Sequence, residues 1–280
     1  SLGYQDQEGI VRKSDFVKYS GSFNGSFKFL ESKKLGLDVN LISSQYLENI
    51  APITSDAGFT GSLISQALAW NPTRPFRNPD GSLFIEDGST INPLVMSEAI
   101  SDKSKVSTVL GTVSPYYKIA PWLEYRMLVS LNYSSGVRRS SARSFLNLPN
   151  IKADGDFLGG YANIGNSEIL THQFTNTLNF NKEIAAKLNL NAVLGYEYTN
   201  YVNKGSNFNA KGFGDLPADY TDAMQATAPA NRGMTSYNDP TTELQSYFAR
   251  AVFNYDSKYF LTATFRADGS TRFGSENSYG

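Results

Sequence analysis

The stretch KYSGSFNGSFKF, residues 18–29, alternates without a break. Successive side chains of an extended chain point to opposite faces. Tyr19, Gly21, Phe23, Gly25, Phe27 and Phe29 therefore share one face, and Lys18, Ser20, Ser22, Asn24, Ser26 and Lys28 share the other. The same period of two returns along the chain. Leu35, Leu37, Val39 and Leu41 oppose Gly36, Asp38 and Asn40, and Leu123 to Tyr133 set Met127 and Val129 against Glu124, Arg126 and Ser130. From Leu188 the apolar set includes Leu194 and Tyr196, from Tyr247 it includes Phe253, and from Tyr259 it includes Leu261 and Phe265. Weaker copies lie near residues 105–119 and 168–181.

Each run covers roughly 13–16 residues, against about 5–6 for a strand of a soluble protein and about 9–11 for a tilted strand that crosses a bilayer. Links alternate in length. Those near 31–33, 120–121, 182–185 and 256–257 are tight, and those at roughly 47–104, 135–167 and 203–241 are long and rich in Gly, Pro, Asn and Ser. Up-and-down membrane barrels have this parity, with short periplasmic turns and long extracellular loops. The expectation is an all-β fold, an antiparallel up-and-down transmembrane β-barrel segment of about nine strands. Its outward face carries Phe23, Phe27, Met127, Val129, Leu194, Tyr196, Phe253 and Leu261. Its lumen face carries Asn24, Glu124, Arg126, Arg250, Thr262, Arg266 and Asp268. The alternative is a soluble β-sandwich or propeller, as in a carbohydrate-binding module with no part in transport, in which nothing makes every second link short.

Composition agrees. The 280 residues hold 17 Tyr, 18 Phe and 2 Trp, and a net charge of -1 gives no basic excess for nucleic acid. Cysteine is absent, which excludes disulfide frameworks and thiolate metal sites. No apolar run reaches the length of a transmembrane helix, and SLGYQDQEGI at the start lacks the features of a signal peptide, so an interior piece of a longer chain is expected. No catalytic centre is expected either. His172 is the only histidine, no G-x-S-x-G surrounds a serine, and Asp80, Glu86 and Asp87 lack the register of a calcium loop. Arg266 and Asp268 share a face, and Asp268-Gly269 reads as the turn that ends the strand in preference to a role in substrate passage.

Several stretches resemble a known family. DQEGI at 6–10, F-x-x-Y-S-G at 16–21, GSLISQAL at 61–68, GGYANI at 159–164 and KYFLTATFRADGSTRFG at 258–274 are similar, in order and spacing, to barrel segments of SusC/RagA-type TonB-dependent outer-membrane transporters of Bacteroidota. The resemblance implies that residues 1–280 are part of a 22-stranded barrel domain in the outer membrane. It further implies a plug, TonB box and signal peptide before residue 1, more strands after Gly280, energy from TonB, a SusD-like lipoprotein outside, and no cofactor. The implied cargo is a glycan or oligosaccharide, or else an oligopeptide.

The longest loop holds the candidate substrate contacts. Ser62, Leu63, Ile64, Ala67 and Leu68 keep helical spacing until Asn71-Pro72, which leaves Trp70 at a helix end before Arg74, Phe76, Arg77 and Asn78. An exposed indole offers a face to a sugar ring, and Arg and Asn offer hydrogen bonds to its hydroxyls. The favoured alternative makes Trp70 and Phe76 anchors of the loop.

Overall fold

A computed structural model describes residues 1–30, 32–52, 62–85, 90–146, 159–240 and 242–274. In chain order the elements are β1 (Leu2–Glu8), β2 (Asp15–Phe29), β3 (Leu35–Asn49), α1 (Leu63–Ala69), α2 (Pro93–Ala99), β4 (Ile100–Ala120), β5 (Leu123–Ala142), β6 (Tyr161–Ala185), β7 (Leu188–Lys211), β8 (Arg232–Asn238), β9 (Thr242–Tyr255) and β10 (Tyr259–Ser270). All ten strands form one antiparallel sheet in the order β1-β2-β3-β4-β5-β6-β7-β9-β10, with β8 also on β7. β8 and β9 follow one line, because β7 pairs Lys204 with Asn238 and then Tyr201 with Thr242. The line breaks at Asp239-Pro240, where proline has no N–H for the ladder, and the register slips by one residue. The ten strands thus fill nine positions.

Register gives the tilt. One cross-strand row runs Phe29, Leu35, Tyr117, Tyr125, Leu178, Leu194, Ala249, Phe265. Leu35 opens β3, whereas Phe265 lies six residues past Tyr259, which opens β10, and β10 is six strands further on. One residue of stagger per strand, at ~3.3 Å of rise and ~4.8 Å of spacing, tilts the strands by about 35°, the value that closes a barrel.

The two faces differ along their length. On β2 the outward set from Tyr19 to Phe29 spans ten residue steps, about 33 Å of strand and about 27 Å along the normal at that tilt, close to the ~25 Å apolar band of outer-membrane barrels. Nothing among the described residues covers this face: Phe23 is 52 % exposed and Leu194 62 %. A sandwich would have buried them under a second layer.

Strands continue well past the band. β4 to β7 have 21, 20, 25 and 24 residues. The loops expected at roughly 135–167 and 203–241 are correspondingly narrower, since β5 runs to Ala142, β6 starts at Tyr161, and β7 runs to Lys211. Above the band both faces meet water, so hydrophobic alternation disappears while the backbone ladder goes on. The tight link expected at 182–185 lies instead at Ala186-Lys187, with Lys187 at φ 63°, and 182–185 are the last residues of β6. Asp268-Gly269 does not end its strand; the two pair with Ser246 and Gln245.

Among the described residues, packed cores occur only at the strand ends opposite the tight turns. One gathers Leu63, Val95, Met96, Ala99, Ala142 and Leu146, and the other Ala162, Ala210, Phe213 and Tyr220.

Candidate functional site

Even-numbered residues of β2 to β5 form the polar face, and register carries it across the sheet. One row reads Lys28, Gly36, Tyr116, Arg126, Thr177, Gly195, Phe248, Arg266. The same arrangement occurs in it twice: a glycine, an aromatic residue on the next strand, and an arginine on the strand after, as Gly36-Tyr116-Arg126 and as Gly195-Phe248-Arg266. Neither copy is a local motif.

In the first copy Arg126 Nη1 donates to Asp38 at 2.8 Å and to Ser114 Oγ at 3.3 Å, and Nε reaches Glu124 at 3.2 Å. Its guanidinium carbon lies 4.5 Å from the Tyr116 ring centre. Ser26 Oγ donates to the other oxygen of Asp38 at 2.8 Å. In the second copy Arg266 Nε donates to Asp268 at 2.9 Å, Nη2 donates to Ser246 Oγ at 3.1 Å and lies 3.8 Å from Glu197, and the guanidinium sits 5.9 Å from the Phe248 ring centre. Ser246 also donates to Asp268, while Gln173 and Thr175 donate to Glu197 at 3.0 and 3.3 Å. Each arginine is held between two carboxylates on an aromatic bed, with a serine two residues before the ring. Four strand spacings put the two arginines about 19 Å apart along the row.

The glycines make room for the rings. A Cβ on Gly36 would lie 2.1 Å from Tyr116 Cζ, and one on Gly195 would lie 2.1 Å from Phe248 Cζ. Gly195→Ala is therefore expected to swing Phe248 aside and cost roughly 1–2 kcal/mol, the low half of overpacking costs, because a ring moves and not backbone. Phe248→Ala should suppress that cost in a double-mutant cycle on urea unfolding; additive losses would show that the ring and the glycine are independent.

All the residues expected on the lumen side share this polar face. Asn24 stands opposite Asn40, Arg250 opposite Val193 and Thr264, and Thr262 opposite Val252. Asp268 belongs to the second copy, not to a turn. His172 lies on the apolar face between Leu131 and Asn200, and no group of three or more His, Asp or Glu is placed to hold a metal ion among the described residues.

In the first loop, Ser62 caps α1 by accepting from the Ser65 amide. Gln66 Oε1 accepts from the Ile91 amide at 2.7 Å, and Asn92 donates to Phe76 and Phe84 carbonyls at 2.8 and 2.9 Å. Trp70 is 6 % exposed, with Phe76 stacked at 6.1 Å, Phe84 edge-on at 6.3 Å and Arg74 at 5.9 Å from its ring centre. The expectation of an exposed indole is corrected: packing covers both sides of the ring. Arg77 is tied to Glu98 and to the Gly81 carbonyl, each at 3.0 Å, and Asn78 to Ser82 at 2.9 Å. Asp80 caps its own turn by accepting from the Ser82 amide, whereas Glu86 and Asp87 lie outside the described residues.

A clamp on the third loop has no signal in the local sequence pattern. Tyr220 stacks on Phe213 at 4.3 Å, Arg143 lies 4.8 Å from its ring centre, and its hydroxyl donates to Gly214 O at 2.6 Å. Arg143 also donates to the Leu216 and Ala218 carbonyls at 2.9 Å. Partial burial pushes the Asp219 carboxyl upward, but the Thr221 amide and hydroxyl, with Lys103 and Arg143, outweigh it and hold the group below its ordinary value. Its folded pKa lies below its unfolded one, so its stabilising share is present at neutral pH and lost as the pH falls through the folded value. Protection factors of amides 219–223, each taken relative to the intrinsic exchange rate at that pH, should be high at neutral pH and fall only below the ordinary aspartate range; protection that is lost on raising the pH would contradict this.

One single-layer sheet, with an apolar band of membrane height on one face and self-paired polar groups on the other, defines the wall of a transmembrane β-barrel. Comparison with known proteins narrows the class. The chain is 25 % identical over 283 residues to TonB-dependent receptor P39 of Formosa agariphila, across all of this chain and 25 % of the relative. It is 25 % identical over 311 residues to TonB-dependent receptor SusC of Bacteroides thetaiotaomicron, again across the whole chain and 28 % of the relative. Among solved structures, the RagAB peptide transporter superposes on all of the chain and 31 % of its own with a TM-score of 0.77 at 20 % identity. No family model matches. Along its whole length the chain is similar to SusC/RagA-type TonB-dependent transporters, which are receptors and not enzymes and which reside in the outer membrane. It spans about a quarter of the length of the curated relatives it matches.

Proposed function

We propose that the chain forms part of the barrel wall of a TonB-dependent outer-membrane importer, with the apolar face against lipid and the polar face toward the lumen. The observation that supports this most is the row of two Gly-aromatic-Arg units opposite an uncovered apolar band. The partners in this reading are TonB, reached through a plug, and a SusD-like lipoprotein over the long loops. The cargo is a neutral glycan or oligosaccharide: arginines held between carboxylates beside Ser, Thr, Asn and Gln offer donors and acceptors together, which suits hydroxyls. A second reading, an oligopeptide as cargo, draws support from an aliphatic cavity beside Phe76 and Arg77. Uptake of labelled oligosaccharides by cells producing the protein should stop when a protonophore collapses the inner-membrane gradient, and should fall several-fold in an Arg126→Ala, Arg266→Ala double variant of equal abundance. Uptake that survives the protonophore would remove the energy-coupled reading.

A further inference from the structure

The cavity in the first loop has a chemistry of its own. Its volume is about 670 Å³, within the range of small-ligand sites. Ile64, Ala67 and Leu68 of α1 form one wall and Leu94 and Ser97 of α2 another, with Val11 and Arg12 of the β1–β2 link across the mouth. The walls are aliphatic, and the one aromatic lining residue, Phe76, is stacked on Trp70. One polar feature at their edge is free to meet a ligand, since the Ser97 hydroxyl is closed off from the cavity. Arg12 is exposed and has no ion pair among the described residues, whereas Arg77 beside it is already committed to Glu98. Leu68 at the mouth is 84 % exposed, so the apolar wall continues outward.

We propose that this cavity is a peptide subsite that takes one aliphatic side chain, with a neighbouring carboxylate of the ligand meeting Arg12. A sugar ring fits the walls poorly, since its hydroxyls would be stripped of water against Leu and Ile with no open side-chain hydroxyl to receive them. A free guanidinium at the mouth selects a carboxylate by paired N–H donors and disfavours a cationic neighbour. The inference rests on the oligopeptide reading for its place in transport, but the subsite is testable without transport.

The test uses the whole detergent-solubilised protein and fluorescence anisotropy with three labelled hexapeptides, Gly-Ser-Leu-Glu-Gly-Ser and its Leu→Ser and Glu→Lys versions, with maltohexaose as competitor. The Leu-Glu peptide should bind at least tenfold tighter than either altered peptide. Ala67→Trp, which fills the cavity, should weaken it tenfold or more, and Arg12→Glu should erase the preference for Glu over Lys. If Ala67→Trp misfolds, Leu68→Glu, at an exposed position, should give the same loss by placing a carboxylate at the mouth. Three peptides that bind within twofold of one another, displacement by maltohexaose, or full binding by both cavity variants would overturn the proposal. No peptide binding by a protein that still takes up oligosaccharide would overturn it too, and leave the importer standing. A protein partner lost from the Ala67→Trp variant, with no peptide binding, would assign the cavity to that partner and reject the peptide. Tight, cavity-dependent peptide binding without any energised uptake would instead sink the importer and keep the subsite.

Discussion

Leu194→Arg is expected to destabilise the barrel by about 2–4 kcal/mol, the cost of an arginine facing lipid near the bilayer midplane. Leu194 is the fourth of six outward residues on β7, between Leu188 and Tyr198, and so stands near the middle of the band. No carboxylate of a neighbouring strand stands beside it: its row partners are Leu178 and Ala249, and Glu168 and Glu243 on the same face pair ten and six residues further along β7, at Lys204 and Asn200. A guanidinium there must snorkel past Tyr196 and Tyr198 or draw water into the bilayer. The control is Thr262→Lys on the opposite face of β10, where the change should stay within about 0.5 kcal/mol, as for ordinary wet positions. Urea unfolding of the whole protein in lipid vesicles compares the two. Equal effects would mean that Leu194 does not face lipid.

Trp70→Ala is expected to loosen the first loop by about 3 kcal/mol, the low end for a buried tryptophan. The low end applies because Trp70 Nε1 has no hydrogen-bond partner, so removing it also removes an unsatisfied donor. Trp70→Phe separates the two terms: it keeps a ring between Phe76 and Phe84 and discards the N–H, and should cost less than half as much. Amide exchange over α1 and α2 reads both. If Trp70→Ala left exchange unchanged and lowered oligosaccharide affinity, the ring would be a contact surface and not an anchor.

Much of the wall was legible because a bilayer imposes a simple rule. Lipid on one side and a wet interior on the other force every second residue to differ, and Phe23 against Asn24 or Met127 against Arg126 state that rule locally. Legibility ended where the lipid ends. Ser135, Asn166 and Lys204 lie in strands that continue past the band, but with water on both sides nothing marks a face. The loop fared similarly. Spacing disclosed α1, yet the fate of Trp70 depended on Phe84, whose position is set by the Asn92 side chain gripping two carbonyls.

By itself the sequence determined the strands of the membrane band, the face each side chain takes and the alternation of short and long links, because these follow from period two and from turn chemistry between neighbours in the chain. Only the tertiary structure decided the cross-strand register, and with it the tilt and the two Gly-aromatic-Arg units. Gly36, Tyr116 and Arg126 come together because β3, β4 and β5 pair with one particular stagger. A slip of two residues would preserve every face and every apolar contact with lipid while parting each arginine from its ring and its carboxylates. Hydrophobic pattern is indifferent to that slip, and the packing of rings over glycines is not.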